Sequence, residues 1–228
     1  MRGFPVAVHA NTSLDDAQEL ADQLKMDGCK GVAVSADLLN TDATDMLLSA
    51  AADALGQPIC LLVNNASIFD NDDVRDFTPA QFDRHMRVHV SAPAQLVQAM
   101  VAALPTDAQA MVVNIIDQRV RRLTPNFFTY TLSKSTQWTM TQTMAQALAP
   151  QVRVNAIGPG PTLKNIRQED ADFAKQVNAM PLKRGPSLDE FAATIAYLWE
   201  AKSVTGQMIA LDGGQHLAWE TPDALIKE

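Results

Sequence analysis

Pro58-Ile59-Cys60-Leu61-Leu62-Val63, followed at once by Asn64-Asn65-Ala66-Ser67, is the stretch that decides the fold. Its first six residues are apolar without a break, which is typical of a strand buried on both faces of a parallel sheet. The two asparagines and two small residues that follow favour a tight turn where the strand ends. Ligands of open parallel sheets bind at such strand ends. The stretch therefore predicts a sheet covered by helices and one edge of a site.

Apolar runs alternate with amphipathic stretches along the rest of the chain, and Ser13, Thr78 and Ser187 stand where helix N-caps are expected. This alternation predicts a single α/β domain over residues 1–228, a Rossmann-like, doubly wound parallel sheet in a three-layer α/β/α arrangement. The polar stretch at 163–180 has no such pattern and is predicted to be mobile. The predicted strands are 4–9, 31–36, 58–63, 110–116, 152–157 and 207–211, and the predicted helices are 14–26, 42–55, 79–104, 127–149 and 188–199.

The composition excludes several classes of protein. The chain has 228 residues with 18 Lys plus Arg, 26 Asp plus Glu and a net charge of -8, whereas a nucleic-acid or anionic-membrane binder needs a basic face. With 47% hydrophobic residues it is too apolar to be disordered. Cys29 and Cys60 match neither a disulfide framework nor a zinc site, and no apolar run reaches bilayer length. A cytoplasmic protein that acts on a small molecule is therefore expected.

Tyr130-Thr131-Leu132-Ser133-Lys134 is the most specific chemical feature. Residues four apart share a helix face, so the Lys134 ammonium can lie beside the Tyr130 phenol. A nearby positive charge lowers the pKa of a phenol, which would make Tyr130 a usable general acid. The alternative interpretation is a surface lysine packed against a helical tyrosine. The position favours a catalytic role for Tyr130, because this helix follows the fourth predicted strand and ligand sites of parallel sheets form at the carboxyl ends of strands.

Four motifs follow one another along the chain, at Asn64–Ser67, Tyr130–Lys134, Asn155–Gly160 and Thr205–Gly214. Together they resemble the short-chain dehydrogenase/reductase family, which has an NNAG-like turn, a YxxxK helix, an N-x-x-x-P-G strand end and a late T-G-x-x-x-x-x-D-G-G stretch. The resemblance covers nearly the whole chain. Four motifs in the right order are far more specific than any one of them alone.

Several residues within this resemblance point to one branch. Asp117 stands thirteen residues before Tyr130, where the family usually has serine, and this replacement is similar to that of pteridine reductases. That branch also carries an NNAS turn followed shortly by a phenylalanine, here Phe69. Its histidine-containing strand end resembles Val8–Ser13, and its Gly-Pro-Gly-x-Ser stretch resembles Gly158–Thr162. The chain therefore resembles pteridine reductase-like and dihydromonapterin reductase-like enzymes.

The resemblance implies a reaction in which hydride passes from a reduced nicotinamide to a C=O or C=N carbon. Tyr130 would supply the proton, while Lys134 would tune Tyr130 and hold the nicotinamide ribose. Asp117 would accept hydrogen bonds from the N–H groups of a pterin ring, on which Phe69 would stack. In the alternative interpretations, Asp117 is a solvated loop carboxylate beside arginines and Phe69 is a core or lid aromatic.

The residues after the first predicted strand favour NADP(H) over NAD(H). NAD-preferring domains place an acid there, and residues 9–13 contain none. Asn11, Thr12 and Ser13 offer donors for a 2′-phosphate, although the arginine expected in this branch is missing, and Asp37 matches the family's aspartate beside the adenine. The predicted cofactor-binding set is His9, Asn11, Thr12, Ser13, Asp37, Asn64, Asn65, Ala66, Ser67, Tyr130, Lys134, Pro159, Gly160 and Thr162.

His89 departs from the family pattern. The chain reads Val88-His89-Val90-Ser91-Ala92-Pro93 where the family has V-N-x-x-x-P, and the family uses that asparagine to hold a water in its proton relay. Histidine can also bind a water and move protons, so His89 is a predicted catalytic residue; the opposite outcome is an impaired site. His85 is predicted to lie on the surface of the same helix.

The resemblance also implies a strand, a Gly-rich turn and a helix ahead of Phe4, and the first βα unit is expected to be missing. Three explanations stay open: an internal methionine as the first residue of a protein about 30 residues longer, a truncation closed by direct strand pairing, or a strand supplied by a partner. Met1-Arg2-Gly3 resembles the end of a helix and favours the first explanation.

Two functions therefore compete for this sequence. The first is an NADPH-dependent reductase of a C=O or C=N substrate, with a dihydropterin as the specific candidate. The second is a binding or interaction module that has kept the fold and lost its cofactor with the dinucleotide loop. The resemblance further implies a homodimer or homotetramer formed through the two long helices, and no metal site is expected.

Overall fold

The computed structural model describes residues 3–164 and 169–219. Most element boundaries lie within three residues of the predicted ones, because apolar runs and caps mark them in the sequence. Within the described residues the elements are β1 (Val6–Ala10), α1 (Leu14–Met26), β2 (Gly31–Ser35), α2 (Thr41–Leu55), β3 (Leu61–Asn64), α3 (Pro79–Met86), a π-helix (Arg87–Ser91), α4 (Ala92–Ala103), β4 (Ala110–Ile115), a 3-10 turn (Gln118–Val120), α5 (Phe128–Leu148), β5 (Val152–Pro159), α6 (Asp170–Asn178), α7 (Leu188–Glu200), β6 (Met208–Leu211) and a second 3-10 turn (Gln215–Leu217).

The strands form two parallel sheets with helices on both sides. β1 pairs with β2, and β3, β4, β5 and β6 pair in that order in a four-stranded sheet. Successive residues of β4 pack on opposite faces of the sheet, so helices cover both faces. Val112 packs with residues of α2 and α4, whereas Met111 and Val113 pack with residues of α7. The predicted Rossmann-like α/β architecture is confirmed.

The predicted absence of a first βα unit is not supported, because the described chain opens directly on a strand. Residues 6–10 form β1, and each of them pairs with a residue of β2. Within the described residues β1 makes no pairing with β3, so direct closure between these two strands does not occur. The predicted helix end at residues 1–3 is described only at Gly3, since Met1 and Arg2 lie outside the described residues.

The single long helix predicted over 79–104 is three consecutive segments instead. Thr78 caps α3 as predicted, because its hydroxyl accepts the Gln81 N–H at 3.2 Å. The chain then widens into the π-helix before α4 continues. Insertion of a π turn in an α-helix leaves no mark in hydrophobic periodicity, and such turns are frequent at functional sites.

The polar stretch at 163–180 contains α6, whose nine residues are all at least partly exposed, while residues 165–168 lie outside the described residues. A helix without a buried face has no apolar periodicity, so the sequence did not predict this helix. Ser187 forms the predicted capping box with Glu190 at the start of α7. Ser13 occupies the N-cap of α1 as predicted, but its side chain makes no capping hydrogen bond.

Candidate active site

The carboxyl ends of β3, β4 and β5 meet the first turn of α5. Asn64 ends β3, Asp117 follows β4 by two residues, and Tyr130 is the third residue of α5. These ends lie at one edge of the sheet because all the strands are parallel. The sequence-predicted catalytic residues are therefore brought to one place.

Tyr130 and Asp117 are directly hydrogen bonded. The phenol donates to Asp117 Oδ2 at 3.0 Å, and Asp117 Oδ1 accepts the Arg119 N–H at 2.7 Å. Tyr130 is 6% exposed. Asp117 is therefore no solvated surface carboxylate, as one alternative had it, but a partner of the phenol.

The predicted lowering of the Tyr130 pKa is not found. Burial raises this pKa well above its ordinary value of 10.0, and the neighbouring Asp117 carboxylate raises it further, while Arg119 and a hydrogen bond from Ser67 act in the opposite direction. Burial also raises the pKa of Asp117. Both shifts are those that burial causes in an acid, so Tyr130 keeps its proton at neutral pH and is placed to donate it.

Lys134 lies at the predicted place but not in the predicted contact. Its Nζ is 5.8 Å from the centre of the Tyr130 ring and donates to the Ile115 carbonyl at 2.8 Å and to Gln137 Oε1 at 3.2 Å. Burial lowers its pKa from 10.5 to about 8, and Asp117 opposes that shift. The ammonium therefore stays charged at neutral pH, and two of its three donors are satisfied among the described residues.

A chain of buried amides supports this edge of the sheet. Asn64 Nδ2 donates to Asn114 Oδ1 at 2.8 Å, and Asn114 Nδ2 donates to Thr141 Oγ1 at 2.9 Å. The chain links β3, β4 and α5. Fully bonded buried networks fix the position of the elements that carry them. Asn64 thus acts as a brace in this structure, and Asn65, Ala66 and Ser67 of the predicted set are exposed after it.

His89 bridges the NNAS turn to α5. The Ile68 N–H donates to His89 Nε2 at 3.2 Å and Ser67 Oγ lies 3.0 Å from the same atom, so Nε2 is the acceptor and Nδ1 carries the proton. Nδ1 lies 2.8 Å from Ser133 Oγ, which in turn donates to the Tyr130 carbonyl at 2.7 Å.

Both ring nitrogens of His89 are therefore occupied. Burial lowers its pKa from 6.5 to about 2, so the ring is neutral. A neutral ring without a bare nitrogen cannot hold a relay water in this arrangement. The structure instead shows His89 as a link between the β3 turn and the helix of Tyr130. Its part in the reaction stays a prediction.

His85 was predicted on the helix surface, and that prediction is wrong. The side chain is fully buried, and its ring stacks on that of His89 with centroids 5.7 Å apart. The prediction failed because a polar, ionisable residue on an amphipathic helix normally faces solvent, whereas this one is bonded to Thr129 of α5.

An aromatic cluster forms the outer wall of the site. The Phe69 ring stacks on the Phe127 ring at 4.2 Å and 9°, and meets the Tyr130 ring edge to face at 4.7 Å. The Arg119 guanidinium lies 4.9 Å from the centre of the Phe127 ring. Phe127 has φ 59°, an uncommon left-handed conformation for a bulky residue. Phe69 thus lies beside Tyr130, and its stacking on a substrate stays a prediction.

The predicted nucleotide-binding residues lie at the ends of β1 and β2. His9 Nε2 donates to the Ala36 carbonyl at 2.9 Å, so it braces the two strand ends. Asn11, Thr12 and Ser13 are exposed at the N-terminus of α1. Asp37 is exposed, and its Oδ1 accepts the Leu39 N–H at 2.9 Å.

The end of β5 is built for close approach. A Cβ at Gly160 would lie 2.7 Å from Asp212 Cα, and the Gly160 N–H donates to the Leu211 carbonyl at 2.8 Å. The Thr162 hydroxyl donates to the Gly160 carbonyl at 3.1 Å. Pro159, Gly160 and Thr162 therefore form a rigid turn against β6, while Asn155 ties β5 to the Val204 carbonyl.

Sequence reasoning missed three residues of the site: Asp72, Phe127 and His85. Phe127 lies three positions before Tyr130 and could have been found by asking which aromatic precedes the catalytic helix. Asp72 lies in an acidic run that resembles a solvated loop.

Within residues 3–164 and 169–219, no group of His, Cys, Asp and Glu could hold a metal ion, and no helix is long and apolar enough to cross a bilayer.

Known proteins resemble this chain over most of its length. A family model described as enoyl-(acyl carrier protein) reductase, of the short-chain dehydrogenase type, matches residues 2–216. The uncharacterized oxidoreductase YmfI of Bacillus subtilis is 27% identical over 221 residues, which cover 94% of this chain and 90% of that protein. A dihydromonapterin reductase of Klebsiella pneumoniae is 34% identical over 137 residues, covering 59% of this chain and 57% of that enzyme. The last match thus spans little more than half of the relative.

A solved structure resembles nearly the whole chain. It is FolM alternative dihydrofolate reductase 1 from Brucella suis in complex with NADP, with a TM-score of 0.94 and 54% identity, covering 97% of this chain and 88% of that one. These matches are to oxidoreductases and do not favour the binding-module alternative. The oligomeric state and the cytoplasmic location stay predictions.

Proposed function

The chain belongs to the short-chain dehydrogenase/reductase family of oxidoreductases, and within it we propose an NADPH-dependent reductase of a dihydropterin-type substrate. One observation supports the substrate class above all. The Tyr130 phenol and the Asp117 carboxylate lie 3.0 Å apart in a buried site, beside the ring of Phe69. A proton donor, a carboxylate acceptor and a flat aromatic face are what a pterin ring requires.

The residues fit the cofactor. Lys134 is charged and has one donor beyond its bonds to Ile115 and Gln137, which suits a ribose hydroxyl. The exposed donors Asn11, Thr12 and Ser13 stand at the positive end of α1, which suits a 2′-phosphate. Bound NADPH supplies the hydride. The similar Brucella suis protein is described as a complex with NADP, which supports the same assignment here.

Asp117 would orient the substrate. A carboxylate accepts hydrogen bonds from ring N–H groups, whereas the serine usual in this family is a weaker acceptor. The raised pKa of Asp117 reflects its burial, and a substrate N–H would favour the charged form. The Tyr130 hydroxyl, which now donates to Asp117, would be released to the substrate when the carboxylate takes its new partner.

Tyr130 would then deliver the proton. Hydride adds to the carbon of the C=N bond, and the Tyr130 proton goes to its nitrogen. The charge left on the phenolate faces Lys134 and the Ser67 hydroxyl. Phe69 would hold the ring flat in front of Tyr130, and Phe127 would move with it, since the two rings are stacked.

The experiment is NADPH oxidation followed by absorbance, with 7,8-dihydromonapterin and 7,8-dihydrofolate as substrates and a 3-oxoacyl thioester as the comparison. We expect turnover of at least one dihydropterin. Asp117→Asn should raise the KM for that dihydropterin about 10- to 100-fold, because a hydrogen bond to a charged group is lost. Turnover of the thioester alone, or an unchanged KM in Asp117→Asn, would refute the proposal. Asp107→Asn, on an exposed loop after α4, is the matched control.

A further inference from the structure

The helix that carries Tyr130 begins without a cap of its own. Phe127 occupies the N-cap position of α5, and its side chain makes no capping hydrogen bond. The first N–H groups of a helix have no partner inside the helix. Asp72, 57 residues upstream and 4% exposed, provides one: Thr129 N–H donates to Asp72 Oδ1 at 3.1 Å. The Phe128 N–H donates to the Asp72 carbonyl at 3.2 Å.

The second carboxylate oxygen of Asp72 begins a chain that leads to His85. The Thr129 hydroxyl donates to Asp72 Oδ2, because a carboxylate oxygen is an acceptor. The Thr129 oxygen is then left to accept, so His85 Nδ1, 2.8 Å away, carries the imidazole proton. His85 Nε2 is consequently a bare acceptor, and it is buried without a partner among the described residues.

The chain ends against the Tyr130 ring. The His85 ring meets it edge to face with centroids 6.0 Å apart, and the His89 ring does so at 5.4 Å. The two imidazoles stack on each other. Burial lowers the pKa of both histidines, so both rings are uncharged where they touch the phenol.

We propose that Asp72 is a positioning residue for Tyr130: its carboxylate caps α5 and, through the Thr129 hydroxyl, sets which nitrogen of His85 carries the proton against the Tyr130 ring. The inference rests on the proposed function only in that Tyr130 is taken as the proton donor. Asp72 touches no reacting atom and acts by two routes, the cap on the first turn of α5 and the His85 ring that packs against Tyr130.

Asp72→Asn separates the two tasks of the carboxylate. The amide oxygen still accepts the Thr129 N–H, so the cap is kept. The amide NH2 faces the Thr129 oxygen, which forces the hydroxyl hydrogen toward His85 Nδ1. We then expect His85 to carry its proton on Nε2, away from both Thr129 and the Gln81 carbonyl that also accepts from this ring, where no acceptor lies among the described residues.

The first readout needs no substrate. The chain has four histidines, so ¹⁵N-edited NMR of the ligand-free protein can assign each ring. We expect His85 as the Nδ1–H tautomer in the wild type and as the Nε2–H tautomer in Asp72→Asn. Asp76→Asn is the matched control, because Asp76 is exposed on the same loop and bonds the Asp73 N–H. An unchanged His85 tautomer in Asp72→Asn would overturn the proposal.

The second readout is catalytic, with NADPH and 7,8-dihydromonapterin as probes. We expect kcat of Asp72→Asn to fall about 10- to 100-fold, as for a displaced catalytic group, while the Kd for NADPH is unchanged. Thr129→Val, which removes only the hydroxyl from the chain, should lower kcat likewise, and Thr129→Ser should restore it. Wild-type kcat in both Asp72→Asn and Thr129→Val would overturn the positioning role. A wild type inactive on every dihydropterin would refute the proposed function instead, and the tautomer measurement would still decide the link to His85.

Discussion

Acid should destabilise this protein through His89, and the size of the effect follows from its burial. The ring is fully buried, both nitrogens are bonded and its pKa is lowered from 6.5 to about 2. Between these two values the unfolded chain binds a proton at this residue and the folded protein does not. Stability therefore declines as pH falls below about 6.5, and the decline ends near pH 2.

The magnitude at about pH 5 is set by the unfolded state alone, because His89 in the folded protein is still neutral there. A gap of about 1.5 pH units at about 1.36 kcal/mol per unit gives a loss of about 2 kcal/mol. This is a large part of the roughly 5–15 kcal/mol by which a domain is stable.

The assay is urea unfolding of the wild type and His89→Asn at about pH 7.5 and about pH 5. Titrating groups away from His89 are common to the two proteins and cancel in the difference. We expect the stability advantage of the wild type over His89→Asn to shrink by about 2 kcal/mol on going to the lower pH. A stability advantage that stays constant within about 0.5 kcal/mol would refute the conclusion that His89 is buried and neutral in the folded protein. An advantage that grows would mean that the folded protein holds the ring in its charged form.

Three further outcomes follow from the site. Tyr130→Phe should abolish reduction of a dihydropterin and leave NADPH binding intact, measured by nicotinamide fluorescence; retained turnover would exclude Tyr130 as the acid. The kcat/KM for NADPH should fall as pH rises through about 8, because Lys134 loses its charge there, and a flat profile from neutral pH to about 9 would contradict that role. Gly160→Ala should cost about 1–3 kcal/mol in urea unfolding because its Cβ would lie 2.7 Å from Asp212 Cα. Gly158→Ala should cost less, because its Cβ would come closest to the flexible Met208 side chain, at 3.1 Å from the sulfur, and no nearer than 3.4 Å to backbone; equal costs would show that the turn can yield.

The fold could be predicted from the sequence because its elements are marked locally. The apolar run before Asn64, the cap at Thr78 and the capping box at Ser187 each specify an element from neighbouring residues. The π-helix could not be predicted in this way, since residues 87–91 have the composition of an ordinary helix. α6 was missed for the opposite reason, because it is helical without a buried face.

The candidate site was predictable in its residue types and less so in its electrostatics. The spacing of Tyr130 and Lys134 indicates a shared helix face, but not that the ammonium would turn to the Ile115 carbonyl. Nor can spacing show that the nearest charge to the phenol is Asp117. Asp72 and His85 reach Thr129 across 57 and 44 residues, and contacts of that range leave no trace in a single sequence.

The π-helix makes the length of this part of the chain as important as its composition. A π turn holds about one residue more than an α turn, so deletion of one residue within 87–91 would let the segment close as an α-helix with α3 and α4 still in phase. Ala92 and Met100 would stay in the core, and the change would fall on the turn that carries His89. Gain or loss of a residue there would therefore move His89 away from Ser67 and Ser133 while the helices on either side stay packed.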